Sequence, residues 1–104
     1  MGRASRRKGA EGELEVVKLA KAHGFTAART RSGGGQALGD IAGVPGFAIE
    51  SKRVEAESVR KWFDQAAANC GNDIPVVAHR KNNTPWLATL ELDELLALIA
   101  RAER

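Results

Sequence analysis

Residues 74–80, IPVVAHR, read as a short apolar strand at the centre of a sheet. A strand of this kind is buried on both faces, so the sheet needs cover on both sides. The rest of the chain supplies that cover as helices. Leu14, Val17, Leu19 and Ala20 suit an amphipathic helix over residues 10–22, with Gly24 as its stop and Lys21 and His23 near its last turn. Val59, Trp62, Phe63, Ala66, Ala67 and Cys70 make a helical stripe that ends at Gly71. LDELLALIARAE, residues 92–103, closes the chain as an apolar helix. Between these lie FTAARTR, then two strands in DIAGVPGFAIESKR joined by a turn at GVPG, and later WLATLE. The predicted order is α-β-β-β-α-β-β-α, an α/β fold with a mixed sheet flanked by helices.

The chain has 104 residues, 43% of them hydrophobic and 28% charged, which suits one domain with one modest core. No apolar run approaches the ~20 residues that span a bilayer, so no membrane association is expected. The opening MGRASRRKGAEGE is basic and lacks the apolar stretch of a secretory signal. Cys70 is the single cysteine, which excludes an internal disulfide and makes a reducing, cytoplasmic setting the default expectation. Net charge is +3, and its distribution is uneven. Arg3, Arg6, Arg7 and Lys8 crowd the first eight residues, while the remaining 12 basic residues are balanced by 13 acidic ones. Residues 1–8 therefore read as a flexible basic arm suited to nucleic-acid phosphates, ahead of a single domain over 9–104. A solvated tail is the plainer alternative.

The chemistry concentrates in GFAIESKR, residues 46–53. Side chains alternate along a strand, so Phe47, Ile49 and Ser51 share one face and Ala48, Glu50 and Lys52 the other. If GVPG closes a hairpin, Asp40 at the start of the preceding strand lies near Glu50. Two converging carboxylates repel unless a cation neutralises them. Hard oxygen ligands favour Mg²⁺ or Mn²⁺, and an adjacent lysine can orient water or stabilise developing charge. The plainer alternative is a surface Glu–Lys pair with Asp40 as a turn residue.

Lys8-Gly9, a helix bearing Glu13, Gly24-Phe25, the segment ARTRSGGG, Asp40 and Glu50-Ser51-Lys52 follow one another in an order that resembles the PD-(D/E)xK nucleases. More narrowly, the pattern is similar to the archaeal and phage Holliday junction resolvases. It covers residues 6–80, and Gly39 stands where the superfamily name has proline. The resemblance implies a restriction-endonuclease-like fold and a metal-dependent DNA endonuclease that makes paired cuts in four-way junctions.

The resemblance also implies roles. Asp40 and Glu50 would bind Mg²⁺ or Mn²⁺, helped by the Ser51 carbonyl. Lys52 would position the attacking water, and Glu13 would complete the acidic cluster directly or through water. Ser32 matches a loop serine near the scissile phosphate. Gln65 lies where several branches place a glutamine, or is simply solvated. Arg3, Arg6, Arg7, Lys8, Arg29, Arg31 and Arg53 are candidates for phosphate contacts. Two symmetric cuts call for a homodimer, with Trp62-Phe63 or Leu92-Leu95-Leu96-Ile99 at its interface; intramolecular core is the favoured place for most of these residues. The alternatives are a nuclease for other branched or nicked DNA, a non-catalytic DNA-binding module on the same fold, and an interaction protein whose charges only solvate it. His23 and His79 lie on different elements with no cysteine pair, which argues against zinc. His79 reads as structural or surface, and Cys70 as core.

Overall fold

The computed structural model describes residues 3–30, 39–53 and 58–102, with residues 3–6 as backbone alone. The elements run α1 (Arg3–Ala22), β1 (Ala28–Arg29), β2 (Ile41–Ala42), β3 (Phe47–Arg53), α2 (Val59–Ala68), β4 (Ile74–Arg80), β5 (Leu87–Thr89) and α3 (Leu92–Ala102). The order is the one the hydrophobic pattern predicts. The five strands make one mixed sheet in the order β1-β2-β3-β4-β5. β1, β2 and β3 are antiparallel neighbours, β4 runs parallel to β3, and β5 returns antiparallel to β4. A parallel pair needs a long crossover, and α2 provides it. β4 has a neighbour on each side, and Val77 at its middle is fully buried.

Strand alternation sorts the side chains into two layers. Ile49, Ser51 and Arg53 of β3 face α1, as do Ala78 and Arg80 of β4. Val16 and Val17 of α1 pack with Ala27 and Ile41, and Ala20, Ile49, Ala78 and Trp86 close around them. Ala48, Glu50 and Lys52 point to the opposite side, together with Val77 and His79. There α2 packs on β3 and β4, with Ala66 buried and the Trp62 ring 5.7 Å from that of His79. Gly12 permits the close approach of α1. A Cβ at that position would lie 2.9 Å from the Arg53 Cβ and 3.5 Å from both the Ser51 Oγ and the Trp86 ring.

Three expectations change. Helix α1 begins at Arg3 and not near residue 10, so the basic residues 3–8 lie in its first turns. Ala, Arg and Lys are good helix formers, and nothing in RASRRK breaks a helix before Gly9. Cys70 is only partly buried, with its thiol donating to the Ala67 carbonyl. Helix α3 buries no residue, although its leucines read mainly as core. Leu92, Leu96 and Ile99 are 65%, 52% and 47% exposed.

Candidate functional site

The hairpin between β2 and β3 decides where Asp40 lies. Gly43 and Gly46 of its turn take positive φ, as the GVPG sequence allows. The turn sets the register in which Ile41 faces Ile49. One residue earlier, the Asp40 amide donates to the Ile49 carbonyl at 2.7 Å. The Asp40 Oδ2 then accepts the Ser51 amide at 2.9 Å. Asp40 is thus held to the residues on either side of Glu50.

Gly39 makes this possible. Its φ is +73°, and a Cβ there would lie 2.7 Å from the Ile49 carbonyl oxygen. Proline has φ fixed near −65° and has no place in such a backbone. The departure from a Pro-Asp pair at residues 39–40 therefore has a local physical cause. Thr30 also braces this corner, its hydroxyl donating to the Gly39 carbonyl and its amide to the Asp40 carbonyl.

The Asp40 carboxyl lies close enough to Glu50 to act on its titration. The Glu50 pKa is pushed up from 4.5 to about 7. Burial is the largest cause, followed by the Asp40 charge and the hydrogen bond to Asp40. Lys52 acts in the opposite direction and Glu13 adds a small upward push. Two carboxylates forced together and short of positive charge are a chemically reasonable seat for a hard divalent cation. The donor set fits: two carboxylates, plus the Ser51 carbonyl, which points to the same strand edge as the Ser51 amide.

Lys52 lies on the same face as Glu50, and His79 is its register partner on β4. The His79 Nε2 bonds the Thr89 hydroxyl at 2.9 Å. This fits a structural residue, yet one that borders the site. Spacing alone gives no sign of that neighbourhood, because the parallel pairing of β3 and β4 creates it.

Other expected site residues are placed differently. Glu13 bonds Arg29 Nε at 2.8 Å, and among the described residues no group of three or more acidic, histidine or cysteine side chains is poised for a metal. Glu13 therefore influences Glu50 through its charge while its own carboxylate pairs with Arg29. Arg53 turns away from Lys52 toward α1, where it meets Glu11 at 3.0 Å and Glu15 at 3.3 Å. It is a tie between helix and sheet, not a free phosphate ligand. Strand alternation contained that signal, since Arg53 shares the parity of Ser51. Gln65 and Arg7 are exposed, and Lys8 is half-buried. Ser32 and Arg31 lie outside the described residues, as do the side chains of Arg3 and Arg6.

Glu15 is a residue the sequence pattern does not single out. Its Oε1 accepts from Arg80 Nε and Trp86 Nε1, each at 3.0 Å. Together with Arg53, these contacts clamp α1 to the ends of β3 and β4. No protein-family model matches the sequence, and no curated protein shows significant similarity to it.

Proposed function

We propose that the chain is a metal-dependent DNA endonuclease of restriction-endonuclease-like fold, acting on branched DNA such as a four-way junction. The observation that carries this is the pinning of Asp40 beside Glu50, with Lys52 on the same face. The order of these residues along the chain, and its resemblance to the PD-(D/E)xK nucleases, supports the same assignment. Asp40, Glu50 and the Ser51 carbonyl would hold Mg²⁺ or Mn²⁺. When bound, the cation supplies Lewis-acid polarisation of the scissile phosphate.

The remaining steps belong to the chain's own groups. The Lys52 ammonium orients the attacking water and offsets the negative charge that grows on the phosphate oxygens. Water adds to phosphorus in line, and the 3′-oxygen leaves. The resemblance implies a 5′-phosphate and a 3′-hydroxyl as products. Arg7, Lys8 and the other basic residues of α1 offer contacts to phosphate, which favour shape over base sequence. Paired cuts in a junction require two such sites, as a homodimer provides.

The test is incubation of the chain with a labelled immobile four-way junction, a linear duplex and single-stranded DNA, with Mg²⁺ and then with EDTA. Symmetric nicks in the junction alone, abolished by EDTA, are expected. Cleavage of all three substrates would keep the nuclease and remove the junction preference. Binding without metal-dependent cleavage would leave a DNA-binding module.

A further inference from the structure

We propose that the cleft between α2 and β5 is a seat for one unpaired nucleobase of a DNA strand. The inference rests on the DNA reading above and adds a binding site to it. Val59, Arg60, Phe63, Thr89 and Leu90 line the cleft, whose volume is about 220 Å³. Pockets that enclose a drug-sized ligand run to ~300–1,000 Å³, so this one has room for about one ring system. Val59, Phe63, Thr89 and Leu90 are half-buried, and Arg60 is exposed.

The sheet places this cleft beside the candidate catalytic face. Glu50, Val77 and Thr89 are register partners in one row across β3, β4 and β5, and Lys52, His79 and Leu87 form the next row. Register partners point to the same side, so Thr89 shares the face of Glu50 and Lys52. The 2.9 Å bond from His79 Nε2 to the Thr89 hydroxyl ties the cleft wall to the neighbour of Lys52. Two strand spacings of ~4.8 Å separate the backbones of Glu50 and Thr89, about 10 Å in all. That is about three steps of stacked DNA at ~3.4 Å each. Val77 is fully buried under α2, so the strand's path follows the outer row, past Trp62 and His79 to the exposed Leu87. A strand whose phosphate lies at Glu50 and Lys52 thus carries a base to the cleft within a few nucleotides.

The lining selects a base over an aliphatic group. Phe63 and Leu90 offer apolar surface to a flat ring, as aromatic residues do in proteins that hold single strands. The Thr89 hydroxyl bonds His79 and keeps capacity for a further bond, which the donors and acceptors of a base edge can meet. Arg60 pairs through Nε with Asp64 at 3.2 Å, an exposed i,i+4 contact. Such a surface pair yields readily, and the guanidinium has further N–H groups for the phosphate of the same nucleotide. Lys61, exposed next to it, adds a second cation. Stacked bases of an intact duplex cannot enter so small a cleft. A base in a single-stranded segment enters at little unstacking cost.

Fluorescence anisotropy of the full chain in EDTA, which prevents cleavage, tests the proposal on three dye-labelled DNAs. One is a branched DNA with a short single-stranded flap, the second carries the same flap built of abasic residues, and the third is a fully paired duplex. The parent should bind the intact flap about tenfold more tightly than the abasic one. Phe63→Leu keeps an apolar side chain and should abolish that preference, with affinity for the abasic flap and the circular dichroism spectrum unchanged. The abasic comparison uses the parent chain, so it decides the matter even if the variant fails to fold. Equal affinity of the parent for the two flaps would overturn the nucleobase seat and leave the nuclease reading standing. A preference that folded Phe63→Leu retains would overturn it too. Unchanged DNA affinity in that variant with altered sedimentation would give the cleft to a second copy instead. Failure to bind any of the three DNAs would overturn the DNA reading and the seat together.

Discussion

The Asp40 carboxylate accepts the Ser51 main-chain amide at 2.9 Å, so a side chain continues the sheet ladder where β2 ends. The same carboxylate also raises the pKa of Glu50. One group thus fixes its own position through the backbone and presses a negative charge on its neighbour.

Asp40→Asn keeps an acceptor for the Ser51 amide and removes the charge. The fold should survive, judged by circular dichroism, while Mn²⁺ affinity measured calorimetrically falls at least about tenfold. Metal-dependent cleavage should vanish. Lys52→Ala should retain the metal and lose turnover. Unchanged metal affinity in Asp40→Asn would remove Asp40 from the site.

The raised pKa of Glu50 makes a stability prediction with a definite sign. The folded chain holds the Glu50 proton up to about pH 7, whereas the ordinary value is 4.5. The stability contributed is therefore fully present below the ordinary value and is lost as pH rises through the folded one. The metal-free melting temperature should fall between about pH 5 and about pH 8 relative to that of Glu50→Gln. Added Mg²⁺ should restore it at the higher pH and have little effect at the lower. A flat difference between parent and variant would mean that Glu50 titrates as an ordinary carboxyl.

Two glycines of α1 should answer the same substitution with opposite signs. Gly9 is exposed and a Cβ there meets nothing within 4 Å. Gly9→Ala should add about 0.5–1 kcal/mol through helix propensity. At Gly12 the same gain is opposed by a Cβ contact of 2.9 Å with the Arg53 Cβ. That atom is fixed to the backbone and cannot swing aside. Overpacking costs about 1–3 kcal/mol, so Gly12→Ala should be net destabilising. Denaturant midpoints of the two variants decide the matter.

Glu15→Ala removes the shared acceptor of Arg80 and Trp86 and a partner of Arg53. The half-buried donors left behind should cost about 1–3 kcal/mol in denaturant unfolding. Glu15→Gln keeps one acceptor oxygen and should recover part of the loss. A change below about 0.5 kcal/mol would show that the clamp behaves as an ordinary surface ion pair.

The sequence by itself determined the order of the elements and the two faces of β3. The hydrophobic periods of 2 and 3.6 are local, and Glu50 and Lys52 share a face by alternation alone. The parity of Arg53 was legible on the same basis. Tertiary structure alone decided that Asp40 sits against Glu50, because that contact depends on hairpin register and on the positive φ of Gly39. It decided that Glu13 pairs with Arg29, that Glu15 gathers Arg80 and Trp86, and that His79 borders Lys52. It decided too that the leucine stripe of α3 faces outward, since a helical period records an apolar face without naming what covers it. Such contacts join residues far apart in the chain, where spacing carries no information about which partner the fold will bring.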